Sequence, residues 1–107
     1  MPQAEGAPAC RLEAPSGGRV RVSGDLGFEA APEILEEGRR AFAGQSEVRV
    51  DLSGLTDADS AGLAVLLQWI REAHRDERVV RFEHLPKRLR DLARIGGVDG
   101  FLPGGAD

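Results

Sequence analysis

The residues best suited to chemistry lie in the run Asp57-Ala58-Asp59-Ser60, with His74, His84 and Cys10 elsewhere in the chain. Read as a calcium loop, Asp57, Asp59 and Gly62 take positions one, three and six. Ala61 then stands at five and Gln68 at twelve, where a bidentate Glu is required, so the match fails. A D-x-D phosphotransfer nucleophile follows directly on a buried apolar strand, whereas here Ser53–Thr56 intervenes and no downstream Lys/Asp set is evident. Ser60 as a hydrolase nucleophile needs a G-x-S-x-G elbow and a His partner. The local D-A-D-S-A-G lacks the first Gly, and His74 falls about four turns down the same predicted helix. His84 has no metal-like spacing to other ligands, the single Cys10 excludes a disulfide framework or a multi-Cys metal site, and no phosphate-binding G-x-x-x-x-G-K-[ST] is present. The expectation is a protein with no catalytic residues, no metal and no cofactor, in which Asp57 and Asp59 supply negative charge at a helix N-terminus.

Composition agrees with a small binding domain. At 107 residues the chain fits one domain, and Leu, Val, Ile and Phe make about a quarter of it, enough for a real core. A net charge of −4 argues against a dedicated nucleic-acid binder, which carries a basic excess. The start, MPQAEGAPAC, has neither the cationic end nor the apolar core of a signal peptide, and the longest apolar run, Ala61–Leu67, is far short of a membrane span of roughly 20 residues. The chain is expected to be soluble and cytoplasmic. Residues 1–9 and 103–107, rich in Pro, Gly and Ala, are expected to be flexible tails around a domain at 10–102.

Strand and helix signals take turns between those ends. Cys10–Ala14 and Arg19–Ser23 alternate around a Ser16-Gly17-Gly18 turn and predict a hairpin. Gly24–Phe28 reads as a loop, and Pro32–Ala43 as a helix with Pro in its first turn and acids before bases. Glu47–Leu52 predicts a strand, Ser53–Asp59 a loop, Ser60–His74 a helix, Val79–Glu83 a strand and Pro86–Ile95 a helix. The order implies an α/β domain: a mixed sheet of four to five strands with three to four helices packed on it, joined by right-handed crossovers.

The helix from Ser60 is the informative one. Ser is a preferred N-cap, and helix N-termini attract anions. On a helical wheel Leu63, Leu66, Leu67 and Ile70 form the apparent core stripe, while Ala61, Val65, Gln68 and Glu72 fall opposite, with Ala64 beside them and Trp69 on the flank. Small apolar residues on a face that should meet water suit docking of another protein; ordinary helix filler with one exposed Val is the plainer reading. Lys87, Arg88, Arg90 and Arg94 make a basic helix, read either as a solvated face or as a site for an acidic partner or lipid headgroups.

The stretch VDLSGLTDADSAGL, Val50–Leu63, resembles the signature of STAS domains, and the predicted element order extends that likeness over nearly the whole chain. The C-terminal FEHLPKRLRDLARIGGVDGFLP, Phe82–Pro103, and the helix run AGLAVLL are similar to the MlaB subfamily, STAS subunits of Mla-type phospholipid ABC transporters of Gram-negative bacteria. The resemblance implies a non-catalytic cytoplasmic subunit that binds the transporter's ATPase, in a complex with the permease. It would do so through Thr56, Asp57, Asp59, Ser60, Ala61, Gly62, Ala64, Val65 and Gln68, with Trp69 at the rim. It also implies an alternative, an anti-sigma-factor antagonist whose partner kinase phosphorylates the Ser matching Ser60. A phosphate there would add nearly two negative charges beside Asp57 and Asp59, enough to expel a partner.

Overall fold

The computed structural model describes residues 10–102, so the expected tails at 1–9 and 103–107 lie outside the described residues. Strands β1 (Cys10–Ser16) and β2 (Arg19–Leu26) form the predicted antiparallel hairpin. Its turn depends on Gly18, whose φ is +78° and whose absent Cβ would sit 2.8 Å from the Glu47 carbonyl, so no side chain fits there. Helix α1 (Ala31–Phe42), strand β3 (Glu47–Ala58), helix α2 (Ser60–Arg75), strand β4 (Val79–Glu83) and helix α3 (Lys87–Ile95) follow, then a single 3-10 turn at Asp99–Phe101.

The four strands lie in the order β1-β2-β3-β4, with β2, β3 and β4 parallel. This is the expected mixed α/β sheet. Val20, Val22, Val48, Val50, Leu52, Val80 and Phe82 point into a core beneath the helices. Alternate residues Arg19, Arg21, Arg49 and Arg81 point to water on the opposite face, where Arg21 faces Asp51 and Arg49 faces Glu83. A period of two thus produces one covered face and one charged face. Successive right-handed crossovers that step the same way across a sheet place their helices on the same side, which gives a two-layer domain.

Two boundaries depart from the expected ones. β3 runs on to Ala58, where a loop from Ser53 was expected, and β2 runs to Leu26. The polar Ser53-Gly54 and Thr56-Asp57 resemble turn residues, but pairings Ser23↔Gly54, Asp25↔Asp57 and Leu26↔Ala58, separated by register shifts, hold the segment extended. The Ser53 N–H also donates to Asp51 Oδ1 at 2.9 Å. As a result the carboxyl ends of β2 and β3 reach the same edge, and α1 and α2 both begin there.

Candidate functional site

The site is assembled where β3 meets α2. Asp59, not Ser60, is the N-cap of α2: its Oδ1 accepts from the Ala61 and Gly62 N–H groups at 2.8 and 3.3 Å. Its Oδ2 accepts from the Phe28 N–H at 3.1 Å, tying the β2–α1 loop to the start of α2. Asp accepts at two oxygens, which a Ser hydroxyl could not match across this gap. Ser60 therefore becomes the first residue of the helix, with an exposed side chain. Thr56 and Asp57 are exposed beside it, and Asp57 Oδ1 accepts from the Ala58 N–H at 2.8 Å.

The face of α2 is rotated by about a quarter turn from the wheel reading. The buried residues are Gly62, Leu63, Val65, Leu66, Trp69 and Ala73, whereas Leu67 and Ile70 are only partly buried. Val65 is 4% exposed and Trp69 1%, which corrects the expectation of an exposed Val65 and a Trp69 at the rim. The cause is α1. Gly38 on α1 leaves room for the Trp69 indole, and a Cβ there would sit 2.4 Å from Cζ2. The indole Nε1–H donates to the Leu35 carbonyl at 3.2 Å, and Phe42 meets the ring edge-on at 5.1 Å between centroids. Gly62 is likewise interior: a Cβ on it would lie 2.3 Å from the Leu26 carbonyl oxygen. The face of α2 that reads as charge-free in sequence is charge-free because much of it packs on α1.

The rest of that face remains open. Ala31, Pro32, Leu35 and Arg39 of α1 and Ala61, Ala64, Val65 and Gln68 of α2 line a shallow apolar groove of about 430 Å³, with Val65 as its floor and Ala64 on its exposed bank. Pro32 and Leu35 are contributions that the sequence did not reveal, since the wheel treats α2 alone. The groove closes at its far end through a bidentate pair, Arg39 Nε donating to Glu72 Oε1 at 2.9 Å and Arg39 Nη2 to Glu72 Oε2, with Gln68 Nε2 donating to the same carboxylate at 2.9 Å. Arg39 also pairs with Glu36. These hydrogen bonds, Arg39 first, hold the Glu72 carboxyl down at about 2.

Beside the starts of α1 and α2 lies a separate notch lined by Asp25, Gly27, Phe28, Glu29, Ala30, Asp57, Ala58, Asp59 and Arg88. Arg88 of the basic helix is fixed there, its Nε donating to the Ala58 carbonyl at 3.1 Å. Arg90 bonds the Leu85 carbonyl, and the exposed Lys87 and Arg94 pair with Asp91 within α3. Among the described residues no group of three or more His, Cys, Asp or Glu side chains could hold a metal ion, and no helix is long and apolar enough to cross a membrane.

Comparisons with known proteins agree on the fold. SpoIIAA, an anti-sigma factor antagonist, superposes in its unphosphorylated form with a TM-score of 0.66 at 18% identity, over 88% of this chain and 85% of that one. Its phosphorylated form, from Bacillus, gives 0.64 at 18% identity, over 88% of each chain. A putative anti-sigma factor antagonist from Thermotoga maritima gives 0.70 at 13% identity, over 87% of this chain and 82% of that one. At such identities these likenesses establish the fold alone. In sequence, the intermembrane phospholipid transport system binding protein MlaB of Haemophilus influenzae (strain Rd) is 36% identical over 55 residues, so the match spans about half of each protein, 51% of this chain and 52% of MlaB. The family model described as "Mlab, STAS domain" matches residues 11–103, and the chain belongs to that STAS family.

Proposed function

We propose that this protein is a non-catalytic cytoplasmic subunit of an Mla-type phospholipid ABC transporter, which binds the transporter's ATPase and supports its assembly or activity. The observation that carries this reading is the apolar groove between α1 and α2, open beside the exposed Ser60 in a domain whose family is MlaB-like. A groove of Ala, Pro, Leu and Val side chains without a catalytic constellation suits recognition of another protein. The contact surface comprises Thr56, Asp57, Ser60, Ala61, Ala64 and Gln68, with Asp59, Gly62, Val65 and Trp69 holding it in shape from beneath.

The test is purification of the tagged full-length protein from its own cell, followed by identification of what accompanies it. An ABC ATPase with its permease is expected, and Ser60→Asp or Ala64→Glu should cut the recovered ATPase at least tenfold. Ala64 is exposed and tolerates the change, whereas a Glu at the buried Val65 would disturb the fold itself. Recovery of the ATPase unchanged by both variants would remove this face from the reading.

A second reading, an anti-sigma-factor antagonist switched at Ser60, is favoured by one observation: the Ser60 side chain is exposed at the first helical position. Recovery of a sigma-regulating kinase without an ATPase, and a phosphate-sized gain in intact mass that Ser60→Ala abolishes, would favour it instead.

A further inference from the structure

The groove and the notch are neighbours. Ala30 and Asp59 line the notch, while Ala31, next to Ala30, and Ala61, two residues beyond Asp59, line the groove, so the two lie side by side at the carboxyl ends of β2 and β3. Two features of that face point outward. The first is Phe28, whose side chain is 73% exposed although its backbone is held by Asp59. The following turn is fixed as well, since the Gly27 carbonyl accepts from the Ala30 and Ala31 N–H groups at 3.1 and 2.9 Å. A large aromatic ring presented to water on a tethered backbone is the kind of group that anchors an interface, because little conformational freedom is lost when it is buried. The second is charge. Asp25, Glu29 and Asp57 make no ion pair among the described residues, and the one cation in the notch, Arg88, is engaged with the Ala58 carbonyl. Much of the chain's net charge of −4 is thereby concentrated beside an apolar groove.

Resting on the ATPase-binding reading, we infer that the segment seated on this face is an amphipathic helix of the ATPase. It lays apolar side chains in the α1–α2 groove, presents Arg or Lys to Asp25, Glu29 and Asp57, and offers an apolar surface to Phe28. The groove walls run from Ala31 to Arg39 and from Ala61 to Gln68, so each is about two helical turns long, or about 11–12 Å. A helix with apolar residues at i, i+3 and i+7 covers that length, the usual way an apolar face occupies a trough between two helices. Opposite charge at one end fixes which way round the segment lies and speeds its encounter.

The experiment measures binding of the full chain to the purified ATPase subunit of the same cell's Mla-type transporter, at 50 and 500 mM salt. The dissociation constant of the unaltered chain should rise at least tenfold at the higher salt. Asp25→Lys/Glu29→Lys should weaken binding at least tenfold at low salt and flatten the salt dependence, the milder Asp25→Asn/Glu29→Gln should fall between, and Phe28→Ala should weaken binding at both salts. All four side chains altered are exposed, and an unchanged melting temperature certifies each variant as folded. If the charge variants and Phe28→Ala bind like the unaltered chain while Ala64→Glu abolishes binding, the basic-helix inference falls and the ATPase reading stands. If Ala64→Glu also binds normally, the ATPase does not use this face and both fall together.

Discussion

The seam between α1 and α2 is built in two unlike halves. At its C-terminal end on α1, Gly38 receives the Trp69 indole, Phe42 meets the ring edge-on, and Arg39 locks to Glu72. Toward the start of both helices the same seam is lined by Ala31, Leu35, Ala61 and Ala64, three of them small, and a groove lies there. The difference is one of side-chain volume: an aromatic ring set against a glycine fills one half, whereas the other half is lined largely by alanines. A domain of this size has about 5–15 kcal/mol of stability in all, and the filled half carries the buried ring, its aromatic contact and its hydrogen bond.

The sharpest way to break this comparison is to empty the filled half. Trp69→Ala removes a buried ring, its aromatic contact and its hydrogen bond, and should cost about 3–5 kcal/mol, seen as a large drop in the denaturation midpoint. Loss of less than about 1 kcal/mol would mean that the two halves do not differ as described. Next in size is the cap. Asp59→Ala leaves the Ala61, Gly62 and Phe28 N–H groups without their carboxylate and should cost about 1–2 kcal/mol, with faster amide exchange in the first turn of α2 and around Phe28 and little change at Trp69. The Arg39–Glu72 pair is smaller and depends on pH. Its carboxyl sits near 2 when folded, against an ordinary value of 4.5, so its contribution is whole above about 4.5 and is lost as pH falls toward 2. Denaturation midpoints of Glu72→Gln and the unaltered chain should therefore differ at pH 6 and converge as pH falls through that window. Smallest of all on stability is Ala64→Glu in the open half, within about 0.5 kcal/mol of the unaltered chain even where it removes the partner.

Much of the architecture was legible in the chain. Alternation in Arg19–Ser23 and Val79–Glu83, and Pro followed by apolar spacing in the α1 and α3 segments, placed every strand and helix but the 3-10 turn. The end of β3 was not legible, because Ser53, Gly54 and Asp57 are turn-like residues kept extended only by a neighbouring strand. The register of α2 was misleading for a related reason: Leu63, Leu66, Leu67 and Ile70 make the heaviest apolar stripe, yet α2 is pressed between sheet and α1, and burial follows the bisector of the two. Asp59 rather than Ser60 as the cap, and Phe28 as part of the candidate face, needed the contact between loops 31 residues apart. Thr56, Asp57 and Ser60 are exposed at the surface.

The Asp59 carboxylate bears on time as well as on place. By gripping three amide groups from two segments, it holds the candidate face in one form by itself. On the proposed reading association then needs no ordering of this chain, and variants that keep the charge of the face should share nearly one association rate while their complexes differ in lifetime.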